Sequence, residues 1–129
     1  MNLISEKTIV NQSQQQFFEF LTDLKNFEQL MPSTIEKFEV DGDSFLFGIS
    51  GMPEIRLVIA EKLEHESITL KAASSKLNFS LVTTLTEVSE NSCECQLLFN
   101  GDFNPMMAMM VKKPLQKFID TLAEKAALL

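Results

Sequence analysis

The sequence predicts an α+β domain in which an antiparallel sheet of seven strands is followed by one long C-terminal helix. Apolar and polar residues alternate with a period of two across most of the stretch 33–103, as in strands with one buried face. Turn signals of hairpin length separate these runs, so successive strands are expected to pair antiparallel. The stretch 104–129 instead repeats its apolar residues at helical spacing. The predicted order is therefore one strand, a short helix, six strands and a helix.

The first two elements are a strand and a short helix. Residues Asn2 to Val10 alternate weakly and predict an opening strand. Ser13 and Gln16 have the spacing of a capping box, in which each side chain accepts a hydrogen bond from the other residue's backbone N–H. The apolar positions that follow lie on one helical face, so this helix is expected to end near Asn26, and Met31-Pro32 marks the exit.

Recognisable turns separate the strands that follow. Asp41-Gly42-Asp43 is the strongest hairpin signal in the chain, Ser50-Gly51-Met52-Pro53 predicts a second turn, and Glu64-His65-Glu66-Ser67 predicts a third. Alternation then assigns one inward face that is almost entirely apolar. The predicted inward residues are Phe38, Val40, Phe45, Phe47, Ile49, Ile55, Leu57, Ile59, Ile68, Leu70, Leu77, Phe79, Leu81, Thr83, Leu85, Cys93, Cys95, Leu97 and Phe99.

The C-terminal helix is predicted to begin at Pro105, with Asn104 as its N-cap. At about 1.5 Å per residue it is long enough to cross the sheet of a small domain. Pro114 lies inside it, removes one helical hydrogen bond and crowds the preceding turn, while Lys113 before it is biased away from helical dihedrals. We expect a bend at Pro114, or two helices that meet there.

The run Met106-Met107-Ala108-Met109-Met110 is the second unusual feature of this helix. Helical spacing places Met107 and Met110 on the inward face and Met106 and Met109 on the polar face. Methionine is flexible and polarisable, and it recurs on surfaces that fit more than one partner. The run is either core filling with two exposed methionines or an adaptable contact patch.

Chain length and net charge limit the classes of protein to which this chain can belong. A chain of 129 residues is predicted to form one domain, 1–129, and can bury about two-thirds of its unfolded surface. Its net charge of −7 and single arginine speak against binding nucleic acid. There is no apolar run of ~18 residues and no apolar signal-peptide core, so the chain is expected to be cytoplasmic and not transmembrane.

Residues of the types that usually act in catalysis or metal binding are few and scattered along the chain. Cys93 and Cys95 share one strand face and are expected to be inert core thiols, and His65 is expected to be exposed in its turn. No metal-ligand spacing, phosphate loop or catalytic constellation is present, so we predict no metal, no cofactor and no catalytic residue. Arg56 is predicted to point outward, and it would reach a ligand carboxylate only in a different strand register.

The early helical segment Phe17–Asn26 with Leu30-Met31-Pro32, the hairpin at Asp41-Gly42-Asp43 and the long terminal helix together resemble the START/Bet v 1-like superfamily, also called SRPBCC or the polyketide cyclase and lipid-transport group. The resemblance spans essentially the whole chain and depends on packing patterns. It implies a helix-grip fold, in which a curved antiparallel sheet wraps the last helix around a cavity. Proteins of this superfamily commonly bind lipids, sterols or polyketides, and some are cyclases or hydrolases. Because they share no ligand residues, none is transferred here.

The sequence therefore favours non-catalytic binding of a small hydrophobic or lipid-like molecule between the sheet and the helix. The predicted ligand-binding residues are Phe45, Phe47, Leu57, Phe79, Leu97, Met107, Met110, Leu115 and Phe118. The alternative is a protein-interaction module whose core is filled by its own side chains, and a cyclase-like enzyme is a third hypothesis. A weak homodimer would use an outward apolar stripe made of Leu46, Val58, Val82 and Leu98.

Overall fold

The computed structural model describes residues 1–50, 54–73 and 78–129. Its strands are β1 (Asn2–Ile4), β2 (Thr8–Val10), β3 (Ile35–Asp41), β4 (Ser44–Ile49), β5 (Ile55–Leu63), β6 (Ser67–Ala72), β7 (Asn78–Ser89) and β8 (Ser92–Asp102). Its helices are α1 (Gln14–Thr22), a 3₁₀ helix (Leu24–Leu30) and α2 (Pro105–Ala126).

All strand pairs are antiparallel and belong to one curved sheet. The strands β3 to β8 form an uninterrupted meander, while β1 and β2 both pair with β8 at the far edge. The predicted α+β, helix-grip architecture is confirmed. The predicted strand number differs by one, because the opening segment forms two short strands instead of a single one.

The break between β1 and β2 occurs at Ser5, which is buried although it is polar. Its backbone N–H donates to the carbonyl of Leu97 at 2.9 Å, and its Oγ accepts from the N–H of Leu97 at 2.9 Å. The side chain of Gln96 donates to the Ser5 carbonyl at 3.1 Å. Side chains therefore replace ladder bonds at this point, so the edge of the sheet stays bonded while its regular pairing stops.

The short helical segment begins as predicted and continues further than predicted. Ser13 and Gln16 form the capping box, with bonds of 3.1 Å in both directions. The α-helix ends at Thr22, and Asp23 then caps the 3₁₀ helix through a bond of 3.2 Å from the N–H of Lys25. The expected end near Asn26 is wrong because this second cap restarts helical structure, which carries the chain to Met31.

The hairpin between β3 and β4 is confirmed. Asp41 pairs directly with Ser44, which leaves a two-residue loop of Gly42 and Asp43. Gly42 has a φ of 61°, in the left-handed region that a residue without Cβ adopts without steric cost. The second predicted turn at Ser50-Gly51-Met52-Pro53 falls partly on residues 51–53, which lie outside the described residues.

Helix α2 begins at Pro105, and the side chain of Asn104 caps it by accepting from the N–H of Met107 at 2.8 Å. It runs through Pro114 as one element, so the expectation of two separate helices is wrong, while the bend stays a prediction. Because Pro114 has no N–H, the carbonyl of Met110 lacks its usual helical donor. In the described part of the chain, no helix is long and apolar enough to cross a membrane.

The C-terminal half of α2 is tied to the N-terminal segments by side chains that reach backbone carbonyls. Gln116 donates to Ile4 at 3.0 Å, Thr8 donates to Ala123 at 3.0 Å, and Lys125 donates to Met31. The main packing partners of the helix are β8, the 3₁₀ helix, β2 and β1. The core lies between these helices and the concave face of the sheet.

The predicted inward face is largely confirmed. Most of its residues are buried, and the half-buried ones are Phe38, Val40, Ile49 and Ile59. Leu77 lies outside the described residues. Three of the half-buried residues lie on β3 and β4, at the opposite edge of the sheet from the strands on which α2 packs. This edge is therefore the less completely covered part of the core.

Candidate ligand-binding site

The predicted site residues divide into a buried majority and two methionines. Phe45, Phe47, Leu57, Phe79, Leu97, Leu115 and Phe118 are all buried in the core. Met107 is half-buried, whereas Met110 is 69% exposed. The inward orientation predicted for Met110 is therefore wrong. Met106 and Met109 are 76% and 83% exposed, as predicted.

Stacked phenylalanine rings fill much of the space that the sequence assigned to a ligand. The ring centroids of Phe27 and Phe45 lie 5.3 Å apart, those of Phe38 and Phe45 also 5.3 Å, and those of Phe45 and Phe47 5.8 Å. Phe47 then stacks on Phe118 of α2 at 5.0 Å with an angle of 5° between the rings. These spacings are those of packed aromatic pairs, so this part of the interior is closed by the protein's own side chains.

A second aromatic cluster lies on β7, on β8 and at the residue just before the cap of α2. Phe79 and Phe99 stack at 5.2 Å, and both lie 6.2 Å from Phe103. Gly101 lies beneath these rings, and a Cβ at this position would approach a ring carbon of Phe103 to 2.5 Å. The glycine therefore allows Phe103 to fold back on β8 just before α2 begins.

A partly apolar opening lies between α2 and the less completely covered edge of the sheet. Its volume is about 300 Å³, at the lower end of the range of ~300–1,000 Å³ for small-molecule pockets. Apolar walls come from both sides of the gap, and four polar side chains complete the lining. The lining residues are Pro32, Thr34, Ile49, Ser50, Lys113, Pro114, Lys117 and Phe118.

This pocket shares one residue, Phe118, with the predicted site. Sequence reasoning missed the others because it looked for a ligand in the centre of the sheet. In the sequence, Pro32 marks only the exit from a helix and Pro114 only a bend in one. A usable signal was the interior Pro114, which lies one turn from Phe118 on the same helix.

The two thiols do not line this pocket, and both are buried. Cys93 and Cys95 are both buried and free, on the inward face of β8. Burial raises the pKa of Cys93, and burial raises the pKa of Cys95 to about 12, with a further rise from the neighbouring Cys93. Only a thiolate is a good nucleophile, so the raised pKa values agree with the predicted inert role, and the predicted core position of both cysteines is confirmed.

The raised pKa of Cys95 makes the folded state sensitive to high pH. Above pH 9 the unfolded chain loses this proton while the folded chain keeps it up to about pH 12. The unfolded state then binds fewer protons, so stability should fall as pH rises through this range, and Cys93, whose pKa is also raised, should add to the fall. Urea unfolding at pH 8, 9 and 10 under reducing conditions measures this slope. Cys95→Ala should have a shallower slope, and equal slopes would contradict the assignment.

The remaining candidate groups also lie away from the pocket. His65 is in the β5–β6 turn with a φ of 66°, and its ring meets Phe18 edge-on at 5.6 Å. Its side chain is 35% exposed, so it is less exposed than expected. Arg56 points outward as predicted and donates to the Oγ of Ser44 at 2.9 Å. Neither side chain is placed to act on a molecule in the pocket.

The outward apolar stripe is only partly continuous. Val82 pairs directly with Leu98, but Leu46 pairs with Arg56, and Val58 pairs with Ser44 on one side and Lys71 on the other. Polar residues therefore interrupt the stripe at both strands of its β4–β5 half. The homodimer stays a prediction.

Comparison with known proteins places the fold. No protein-family model matches the chain, and no curated protein matches it in sequence. Among solved structures, a START superfamily protein from Mycobacterium smegmatis is similar with a TM-score of 0.70 and 10% identity, over 98% of this chain and 94% of that one. Truncated norcoclaurine synthase from Thalictrum flavum is similar with a TM-score of 0.71 and 12% identity, over 98% and 92%. At such low identities these likenesses establish the fold alone.

Proposed function

We propose that this chain, which has the START/Bet v 1-like helix-grip fold, binds a small hydrophobic or lipid-like ligand in the pocket between α2 and the edge of the sheet. The observation that carries the proposal is an opening of about 300 Å³ whose walls include Pro32, Ile49, Pro114 and Phe118. Mostly apolar walls with a few polar groups are the usual composition of a small-molecule site. The site is displaced from the sheet centre, where the rings of Phe45 and Phe47 are already packed.

Size and wall chemistry bound the expected affinity. A ligand that buries about 200 Å² of apolar surface gains on the order of 5 kcal/mol at ~25 cal/mol per Å², before the cost of association. Binding should therefore be micromolar or weaker, with selection by size and shape. No lining residue among those described has a carboxylate or an imidazole, the groups that most often act as a general base. The proposal accordingly contains no catalytic step.

A neutral probe tests this proposal without involving charge. We expect 1-octanol, titrated into ¹⁵N-labelled protein, to shift the amide resonances of residues around Ile49 and Phe118. Thr34 is exposed and lines the pocket, so Thr34→Trp should fill the mouth without entering the core and weaken binding at least tenfold. Ser33→Trp is the matched control, since Ser33 is also exposed and does not line the pocket.

The outcome separates the two leading hypotheses. Loss of binding in Thr34→Trp alone supports the pocket. If 1-octanol causes no resonance shifts, and mass spectrometry finds no lipid-like molecule in an extract of the purified protein, the ligand proposal fails. A protein-interaction module then becomes the better hypothesis. The exposed Met106 and Met109 would then be the first surface to test.

A further inference from the structure

The polar side chains that line the pocket include cations but no anions. Its polar side chains are Lys113, Lys117, Thr34 and Ser50, each of which can donate a hydrogen bond, and none is acidic. The chain as a whole has a net charge of −7, with 18 acidic residues against 11 basic ones. A pocket lined by two ammonium groups and no carboxylate is therefore the opposite of what the average surface of this protein would provide.

The two lysines are adjacent on the helix and lack acidic partners. Lys113 and Lys117 are one turn apart, a spacing at which like charges destabilise a helix by a few tenths of a kcal/mol. Both are exposed, and within the described residues neither lies within 4.0 Å of a carboxylate oxygen. Asp120, three residues beyond Lys117, accepts instead from the Nε2 of Gln116, at 3.2 Å for each oxygen. An anion between the lysines would remove their repulsion.

The apolar walls lie immediately beside this charged pair. Phe118 follows Lys117 in the chain and is buried, and Pro114 lies between the two lysines in sequence. Ile49 and Pro32, from outside the helix, add further apolar lining. A ligand that fits both parts has an apolar portion against Phe118 and an anionic group at the mouth.

We infer that the ligand is a small anionic amphiphile, whose carboxylate or phosphate oxygens are held by Lys113 and Lys117 while its apolar portion occupies the pocket beside Phe118. This inference rests on the proposed function and specifies the chemical class of the ligand. Charge-assisted bonds from the two ammonium groups supply the selectivity, and the hydroxyls of Thr34 and Ser50 are available as further donors. The modest pocket volume restricts the apolar portion to a short chain or a small ring.

The experiment compares probes that share one chain and differ in head group. Octanoate, octyl phosphate and 1-octanol are titrated below their aggregation limits into the ¹⁵N-labelled full chain. We expect both anions to bind at least tenfold more tightly than 1-octanol at low salt, and this advantage to shrink as salt screens the charges. The ratio of the two anion affinities then tells whether a carboxylate or a phosphate head is preferred.

A matched pair of variants locates the head group. The double variant Lys113→Gln/Lys117→Gln should lose at least tenfold in octanoate affinity and keep its 1-octanol affinity within about twofold. Lys112→Gln is the control, because Lys112 is an exposed lysine of the same helix that does not line the pocket. It should bind both probes as the unmodified protein does.

The possible failures are distinguishable. If 1-octanol binds in the pocket and octanoate binds no better, the anionic class is wrong while the hydrophobic site stands. If octanoate is preferred but the double variant retains that preference, the head group is not held by these lysines and the inference is overturned. If no probe binds, the proposed function and this inference fail together.

Discussion

Replacing Phe45 by alanine should destabilise the protein by about 3–5 kcal/mol, a large part of the total stability of a domain of this size. Phe45 is fully buried, and its ring packs against those of Phe27, Phe38 and Phe47 at 5.3, 5.3 and 5.8 Å. It therefore joins the 3₁₀ helix, β3 and β4 at one point. Truncation removes the transfer energy of the ring and leaves a void that three neighbours cannot all move to fill.

Equilibrium unfolding in urea measures the loss, with the slope of the transition checked for two-state behaviour. Val88→Ala is the control, because Val88 lies on β7 and is 54% exposed, so its change should stay within about 0.5 kcal/mol. A loss below ~1.5 kcal/mol for Phe45→Ala would mean that the surrounding rings collapse into the void, and that the cluster is looser than its centroid distances indicate.

Local sequence signals predicted those elements whose geometry is decided within a few residues. The Ser13–Gln16 capping box, the Asn104 cap and the turn at Gly42 each depend on a side chain bonding its own neighbourhood, or on one backbone dihedral. All three are where the sequence predicted them. The alternation of strand residues succeeded for the same reason, since successive side chains must point to opposite faces.

The wrong predictions concern tertiary contacts with residues that are distant in sequence, and a local pattern contains no information on these. The break at Ser5 depends on Leu97 and Gln96, more than 90 positions away along the chain. The exposure of Met110 depends on where the partners of α2 stop: helical periodicity gives the face of the helix but not the length that is covered.

The pocket could not be located from the sequence for the same reason. Alternation shows that Phe45 and Phe47 point inward, but inward-pointing rings either line a space or fill it. Stacking with Phe118 at 5.0 Å decides in favour of filling. The remaining space is found at the edge of the sheet, where Pro32 and Pro114 are both among the lining residues.

Phe118→Ala should also cost about 3–5 kcal/mol, and the void it leaves should be open to a ligand. Phe118 is 4% exposed and stacks on Phe47, and unlike Phe45 it borders the pocket. Removing its ring should therefore join the new void to the existing space of about 300 Å³.

An apolar cavity of this kind binds benzene, and a ligand that binds only the folded state stabilises it in proportion to RT ln(1 + [L]/Kd). Benzene should thus raise the urea midpoint of Phe118→Ala markedly and that of the unmodified protein little. Met109→Ala, an exposed position on the same helix, should change stability by less than about 0.5 kcal/mol. A loss below ~1 kcal/mol in Phe118→Ala would show that its ring already faces open space, and a full loss without benzene rescue would show that the site collapses and is separate from the pocket.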